Sequence, residues 1–190
     1  MKTRTTLTGA GLLTMTLALG LTQGAQAAYN VWTNEYTLSR KDLQTAIAPQ
    51  FPRKLKYMDL FDVTLSNPRL AMDAPNNRLT TVVDAQIANQ WLLSRPVSAV
   101  LTMSSGFKYD APSRSLRLDA PRVDNVDSKD VPPQYAQQLT ALGNAAADQL
   151  LRDYAVYTFT PEQLQMNGKR FEPGKITVEP EAVKVEIIEQ

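Results

Sequence analysis

From Val97 to Tyr109 the chain alternates with a period of two, and this stretch restricts the fold more tightly than any other. Val97, Ala99, Leu101, Met103, Phe107 and Tyr109 fall on one side; Ser98, Thr102, Ser104, Lys108 and Asp110 fall on the other, with Val100 as the exception. Successive side chains of an extended backbone point to opposite faces, so the pattern specifies a long strand buried on one face and wetted on the other. Such strands belong to antiparallel sheets, because parallel sheets are covered on both faces and read as continuous apolar runs. Ser104-Ser105-Gly106 interrupts the alternation as a bulge or a close backbone approach.

The neighbouring segments extend the same sheet. Leu79, Thr81, Val83, Ala85 and Ile87 share one face of a strand. Tyr57 to Ser66 also alternates, and Asn67-Pro68 marks a bend or bulge, since Pro has no N–H for a ladder. Asp73 to Asn77 and Asp110 to Ser113 read as turns, and Leu116 and Leu118 point inward on a fourth strand. Beyond it, Asp119, Asp124, Asp127 and Asp130 read as a solvated loop. Short turns between successive strands predict an antiparallel meander. Tyr29 to Thr37 reads as a first strand, Val156 to Phe159 as extended, and Ile176, Val178, Val183, Val185 and Ile187 as two more strands.

Two segments carry a helical period. Ser39 has the place of an N-cap with Asp42 three residues on, followed by Leu43, Ile47 and Phe51 on one face and by Pro49 and Pro52 as terminators. Pro132-Pro133 opens a longer helix whose Leu139, Leu142, Ala146, Leu150 and Tyr154 recur at three and four residues. Gly143 costs that helix about 1 kcal/mol against Ala unless a strand passes close to it. The expected fold is α+β: a highly curved antiparallel sheet wrapped around one long helix in the C-terminal half, plus a short N-terminal helix.

The N-terminus reads as a secretory leader. Lys2 and Arg4 precede an apolar stretch from Leu7 to Leu21, and Ala25-Gln26-Ala27 has the A-x-A form of a cleavage site. A spanning helix needs about 20 predominantly apolar residues, and this stretch is shorter. The expectation is a signal peptide over residues 1–27, cleavage before Ala28, and a single periplasmic domain over 28–190 with no stable membrane anchor. Losing Lys2 and Arg4 takes the net charge from +1 to −1. The densest basic group, Arg53, Lys54 and Lys56, reads as a solvated turn rather than a nucleic-acid face, which needs several phosphate contacts.

The chain contains neither Cys nor His, so Ser–His and Cys–His nucleophile pairs, the usual zinc ligand sets and disulfides are unavailable to it. No cofactor or metal is expected. The four acids lack the EF-hand spacing, and Trp32 and Trp91 read as core or rim anchors. The chain reads as a binding protein rather than an enzyme. An apolar interior between helix and sheet suits an apolar ligand, and the residues expected to line its cleft are Val83, Leu101, Met103, Phe107, Leu139, Leu142, Ala146 and Leu150. The alternative is an envelope protein-interaction or assembly factor with a filled core.

Four short motifs carry a family resemblance: Tyr36-Thr37-Leu38-Ser39 with Phe51-Pro52, Leu65 to Leu70, Ser105 to Asp110, and Val156 to Phe159 after the long helix. Together these resemble the YceB-like family of exported bacterial proteins. The resemblance implies a fold similar to half of a tubular lipid-binding protein, and a periplasmic carrier or sensor of lipid-like molecules. The type member of that family is similar to a lipoprotein with an acylated Cys, whereas Ala28 follows the cleavage site here.

Overall fold

Alternating burial is what the backbone delivers, over more of the chain than expected. The computed structural model describes residues 27–57, 61–89, 95–130, 136–166 and 168–190; the expected leader up to Gln26 therefore lies outside the described residues, as do Trp91 and Pro132-Pro133. In chain order the elements are β1 (Ala27–Asn30), β2 (Glu35–Ser39), α1 (Arg40–Ile47), β3 (Arg53–Tyr57), β4 (Phe61–Asp73), β5 (Arg78–Ala88), β6 (Val97–Asp110), β7 (Ser115–Asp127), α2 (Ala136–Leu151), β8 (Ala155–Thr158), β9 (Gln165–Met166), β10 (Lys169–Val178) and β11 (Ala182–Glu189). They form two curled antiparallel sheets, one of six strands in the order β3-β4-β5-β6-β7-β8 and one of five in the order β1-β2-β11-β10-β9.

The protein is thus mostly β, and the expected α+β fold around a long central helix is overturned. Among the described residues, α1 has eight residues and α2 sixteen. A helix of sixteen residues is about 24 Å long, whereas strands of thirteen and fourteen residues span about 45 Å, so α2 is too short to be the axis of β6 and β7. Three further expectations change with it. Asp119, Asp124 and Asp127 lie on β7, not in a loop. Tyr29 to Thr37 is not one strand but the β1–β2 hairpin, with Asn34 at φ 54° in its turn. Arg53, Lys54 and Lys56 form an edge strand, not a turn.

Bulges bend the six-stranded sheet. The β4–β5 register shifts between Ser66 and Arg69, at the expected Asn67-Pro68, and the β6–β7 register shifts twice, once between Ser104 and Gly106. Each extra residue bends its strand and deepens the local twist, so the sheet curls. Arg78 fixes the second site: its Nε donates to Ser104 Oγ (2.9 Å) and its Nη2 to the carbonyls of Ser104 (2.8 Å) and Ala120 (2.7 Å).

The inner faces of both sheets share one core. Leu38, Val183, Val185 and Ile187 from one meet Leu65, Val83, Leu116 and Leu118 from the other, all buried. Phe159 sits fully buried among Tyr36, Tyr109 and Tyr157, with ring centroids 5.3, 6.2 and 4.9 Å away. Burial pushes the Tyr36 phenol up to about 12, and its hydroxyl donates to the Gln163 carbonyl at 3.1 Å. Asn77 ties the β4–β5 turn to the other sheet, donating to the Ile176 carbonyl (3.1 Å) and accepting from the Val178 N–H (2.6 Å).

α1 starts as its sequence prescribes. Ser39 Oγ accepts from the Asp42 N–H at 3.1 Å, and the face carrying Leu43 and Ile47 is buried. Gln44 lies across the β4 bulge, donating to the Pro68 carbonyl (2.7 Å) and accepting from the Leu70 N–H (2.8 Å). The Arg40 N–H donates to the Glu181 carbonyl at 2.8 Å.

Candidate ligand-binding region

The expected cleft residues divide into three groups. Val83 and Leu101 face each other across β5 and β6, and Met103 is two residues further along β6 opposite Thr81. These three come together as anticipated, but they are covered: Val83 is 0% exposed, Leu101 3% and Met103 1%. Phe107 stands beyond the Ser104–Gly106 bulge, half-buried and opposite Leu118 on β7. Leu139, Leu142, Ala146 and Leu150 are on α2, and their side chains lie outside the described residues.

Among the described side chains, α2 sets Gly143, Ala147 and Leu151 against the sheet. A Cβ on Gly143 would stand 3.1 Å from Val123 Cγ2 and 3.7 Å from Leu101 Cδ2, so the strand that tolerates this glycine is β7 with β6 beside it. Ala147 and Leu151 continue the buried side. Sequence reasoning missed Val123 and Ala147, because the apolar stripe was phased on Ala146 and β7 was ended too early. Asn144 Oδ1 accepts from the Val123 N–H at 2.9 Å. The C-terminal end of α2 is tied by backbone: the Leu118 N–H donates to the Tyr154 carbonyl (2.9 Å) and the Asp153 N–H to the Leu118 carbonyl (3.2 Å). Asp153, at φ 59°, adopts the left-handed conformation that commonly ends helices.

Two concavities accompany this arrangement. A cavity of about 30 Å³, the share of one liquid water, lies between Ile47, Phe51, Arg53, Leu151 and Tyr154, where α1, β3 and the end of α2 meet. A shallow groove of about 570 Å³ lies on the outer face of β4–β6. Its lining is mixed: Thr64, Ser66, Asp84, Gln86 and Ser98 share the floor with Ala85, Ala99 and Val100, and residues 127–130 form the rim. Hydrogen bonds from Arg69 and Asn67 hold the Asp84 carboxyl below the usual carboxylate range.

The other acids pair separately instead of converging. Asp119 meets Lys108 at 3.5 Å, Asp124 meets Arg122 at 2.8 Å and Asp130 meets Arg95 at 3.4 Å, all with exposed partners that add little stability. No group of three metal-ligating side chains is found among the described residues. Trp32, expected as an anchor, instead projects into solvent from the β1–β2 turn. No helix of the described residues is long and apolar enough to cross a membrane.

No protein-family model matches this chain, and no curated protein matches it either.

Proposed function

We propose that this is an exported, non-catalytic binding module for an apolar, lipid-like ligand, a carrier or sensor held in the periplasm. The ligand lies between α2 and the inner face of β5, β6 and β7. The observation that carries this reading is how α2 is attached to a curled apolar sheet. Among the described contacts, its middle rests on the sheet through Gly143 and Ala147, with Asn144 accepting a hydrogen bond from the Val123 N–H, and backbone bonds tie its C-terminal end. In the closed arrangement Val83, Leu101 and Met103 are covered, so entry requires α2 to swing out about Asp153 and Tyr154. An acyl chain entering that space gains about 0.8 kcal/mol for each buried CH₂. The resemblance to the YceB-like proteins points to the same ligand class.

A disulfide lock tests it. The chain has no cysteine of its own, so Val123→Cys with Gly143→Cys forms a single, unambiguous bridge between α2 and β7. Uptake of a fluorescent long-chain fatty acid is expected to be lost in the oxidised variant and restored on reduction. Equal uptake in both states removes α2 as the gate, and no uptake by the parent protein removes the apolar ligand.

The complete burial of Val83 and Met103 favours a second reading, a filled core in a protein that acts on an envelope partner through its surface. That reading requires native mass spectrometry of the exported protein to return the bare polypeptide mass alone.

A further inference from the structure

Among the described residues, the large apolar side chains that face solvent are concentrated at one end of the five-stranded sheet. Trp32 is 93% exposed, Val31 69% and Ile188 50%. Val31 and Trp32 occupy the β1–β2 turn, and Ile188 emerges beside it, because the Ile187 N–H donates to the Asn34 carbonyl at 2.9 Å and Asn34 Nδ2 donates back to the Ile187 carbonyl. The turn is braced from within. The Tyr29 hydroxyl donates to Asn34 Oδ1 at 2.6 Å, and the Trp32 N–H donates to Asn30 Oδ1 at 2.9 Å. Trp32 is therefore held outward by the local hydrogen bonds of its own hairpin, and an indole held in water without a partner is a feature to be explained.

Area and shape choose the occupant. The three side chains offer roughly 400 Å², about half of what one partner contributes to a stable protein interface. A narrow convex tip suits a medium that closes around it, and Trp is favoured where a bilayer meets water. The charges nearby are mixed: Glu35 lies opposite Glu186 with Lys184 Nζ 4.0 Å away, and Glu189 is paired with Lys169 at 2.8 Å. We propose that the β1–β2 tip is a bilayer-contact element, in which Trp32 and Val31 enter the boundary between headgroups and acyl chains of a membrane surface and Ile188 rests at the rim. Anionic lipid adds little to this contact, because Lys169 and Lys184 are already paired with Glu189, Glu35 and Glu179. The inference stands whether or not α2 admits a ligand.

Flotation with extruded phosphatidylcholine vesicles, with and without phosphatidylglycerol, tests it on purified protein whose N-terminus is fixed by mass spectrometry. The parent protein is expected to float, and Trp32→Ala combined with Val31→Ala to lower partitioning at least about tenfold. Trp32→Phe keeps most of it, and added salt or phosphatidylglycerol changes it less than about twofold. Both positions are exposed, and thermal melting checks that the variants keep the fold. Failure of the parent protein to float at millimolar lipid overturns the proposal, as does equal flotation of the alanine variant. A parent dimer that the alanine variant dissociates in light scattering, without lipid, assigns the tip to a second copy and overturns it too. The Val123→Cys, Gly143→Cys lock floats like the parent protein, which separates this test from that of ligand uptake.

Discussion

α1 and α2 are fastened in opposite ways, and length does not predict which is firmer. α1 has eight residues, but it carries a side-chain N-cap, two buried apolar residues, a glutamine spanning a bulge and a backbone bond to the residue before β11. It thereby touches both sheets. α2 has sixteen residues, no acid in its first turn and no base in its last to oppose the helix dipole. Its described attachments include the small Gly143 and Ala147, the buried Leu151, one asparagine and two backbone bonds at the far end. Isolated helices of this length are marginal in water, so tertiary contacts decide how firmly each is held. The short helix is a rivet between layers, and the proposed swing makes the long one an arm.

Three measurements bear on that contrast. The largest effect is expected in native-state hydrogen exchange. α1 amides should exchange only through global unfolding, worth about 5–15 kcal/mol in a domain of this kind, whereas amides in the N-terminal half of α2 should open at several kcal/mol less. Equal protection of the two helices breaks the comparison and the proposed swing with it. Next, Gln44→Ala leaves the Pro68 carbonyl and the Leu70 N–H without their partner, and should lower unfolding stability by about 1–3 kcal/mol in urea. The smallest effect belongs to Asn144→Ala. It should change global stability by less than about 1 kcal/mol while raising exchange along α2; a larger loss means that the arm is bolted to β7 after all.

The sequence was most legible where period and punctuation agree. β6 was readable because its apolar face repeats cleanly, and the bulges at Asn67-Pro68 and Ser104 to Gly106 were readable from residues that a ladder tolerates poorly. The α1 cap followed from Ser39 and Asp42. β7 is lost halfway because its bulges shift the phase: Leu116 and Leu118 keep one parity, Ala120 turns to φ 42°, Val123 falls out of step, and Val126 returns to step past the second shift. Its aspartates, on wetted positions, then resembled a loop. Val31 and Trp32 favour strands and were read as one, although the asparagines flanking them make a turn possible. The stripe to Tyr154 overstated α2, which ends at Leu151 before the left-handed Asp153. At the candidate site, pattern alone placed Val83, Leu101 and Met103 on one wall. Whether such a wall faces a ligand or a neighbour depends on what lies opposite, and periodicity carries no record of that.

The sheet margins have a consequence for how such a molecule fails. β1 has four residues, β9 two and β8 four, and the five-residue β3 carries Arg53, Lys54 and Lys56. At these four terminal strands an incoming strand finds either too few rungs to hold it or a row of positive charge to repel it. Should α2 swing out and bare the greasy wall beneath, crowded copies would clump through side chains, disordered and reversible on dilution, rather than zip rung by rung into fibrils.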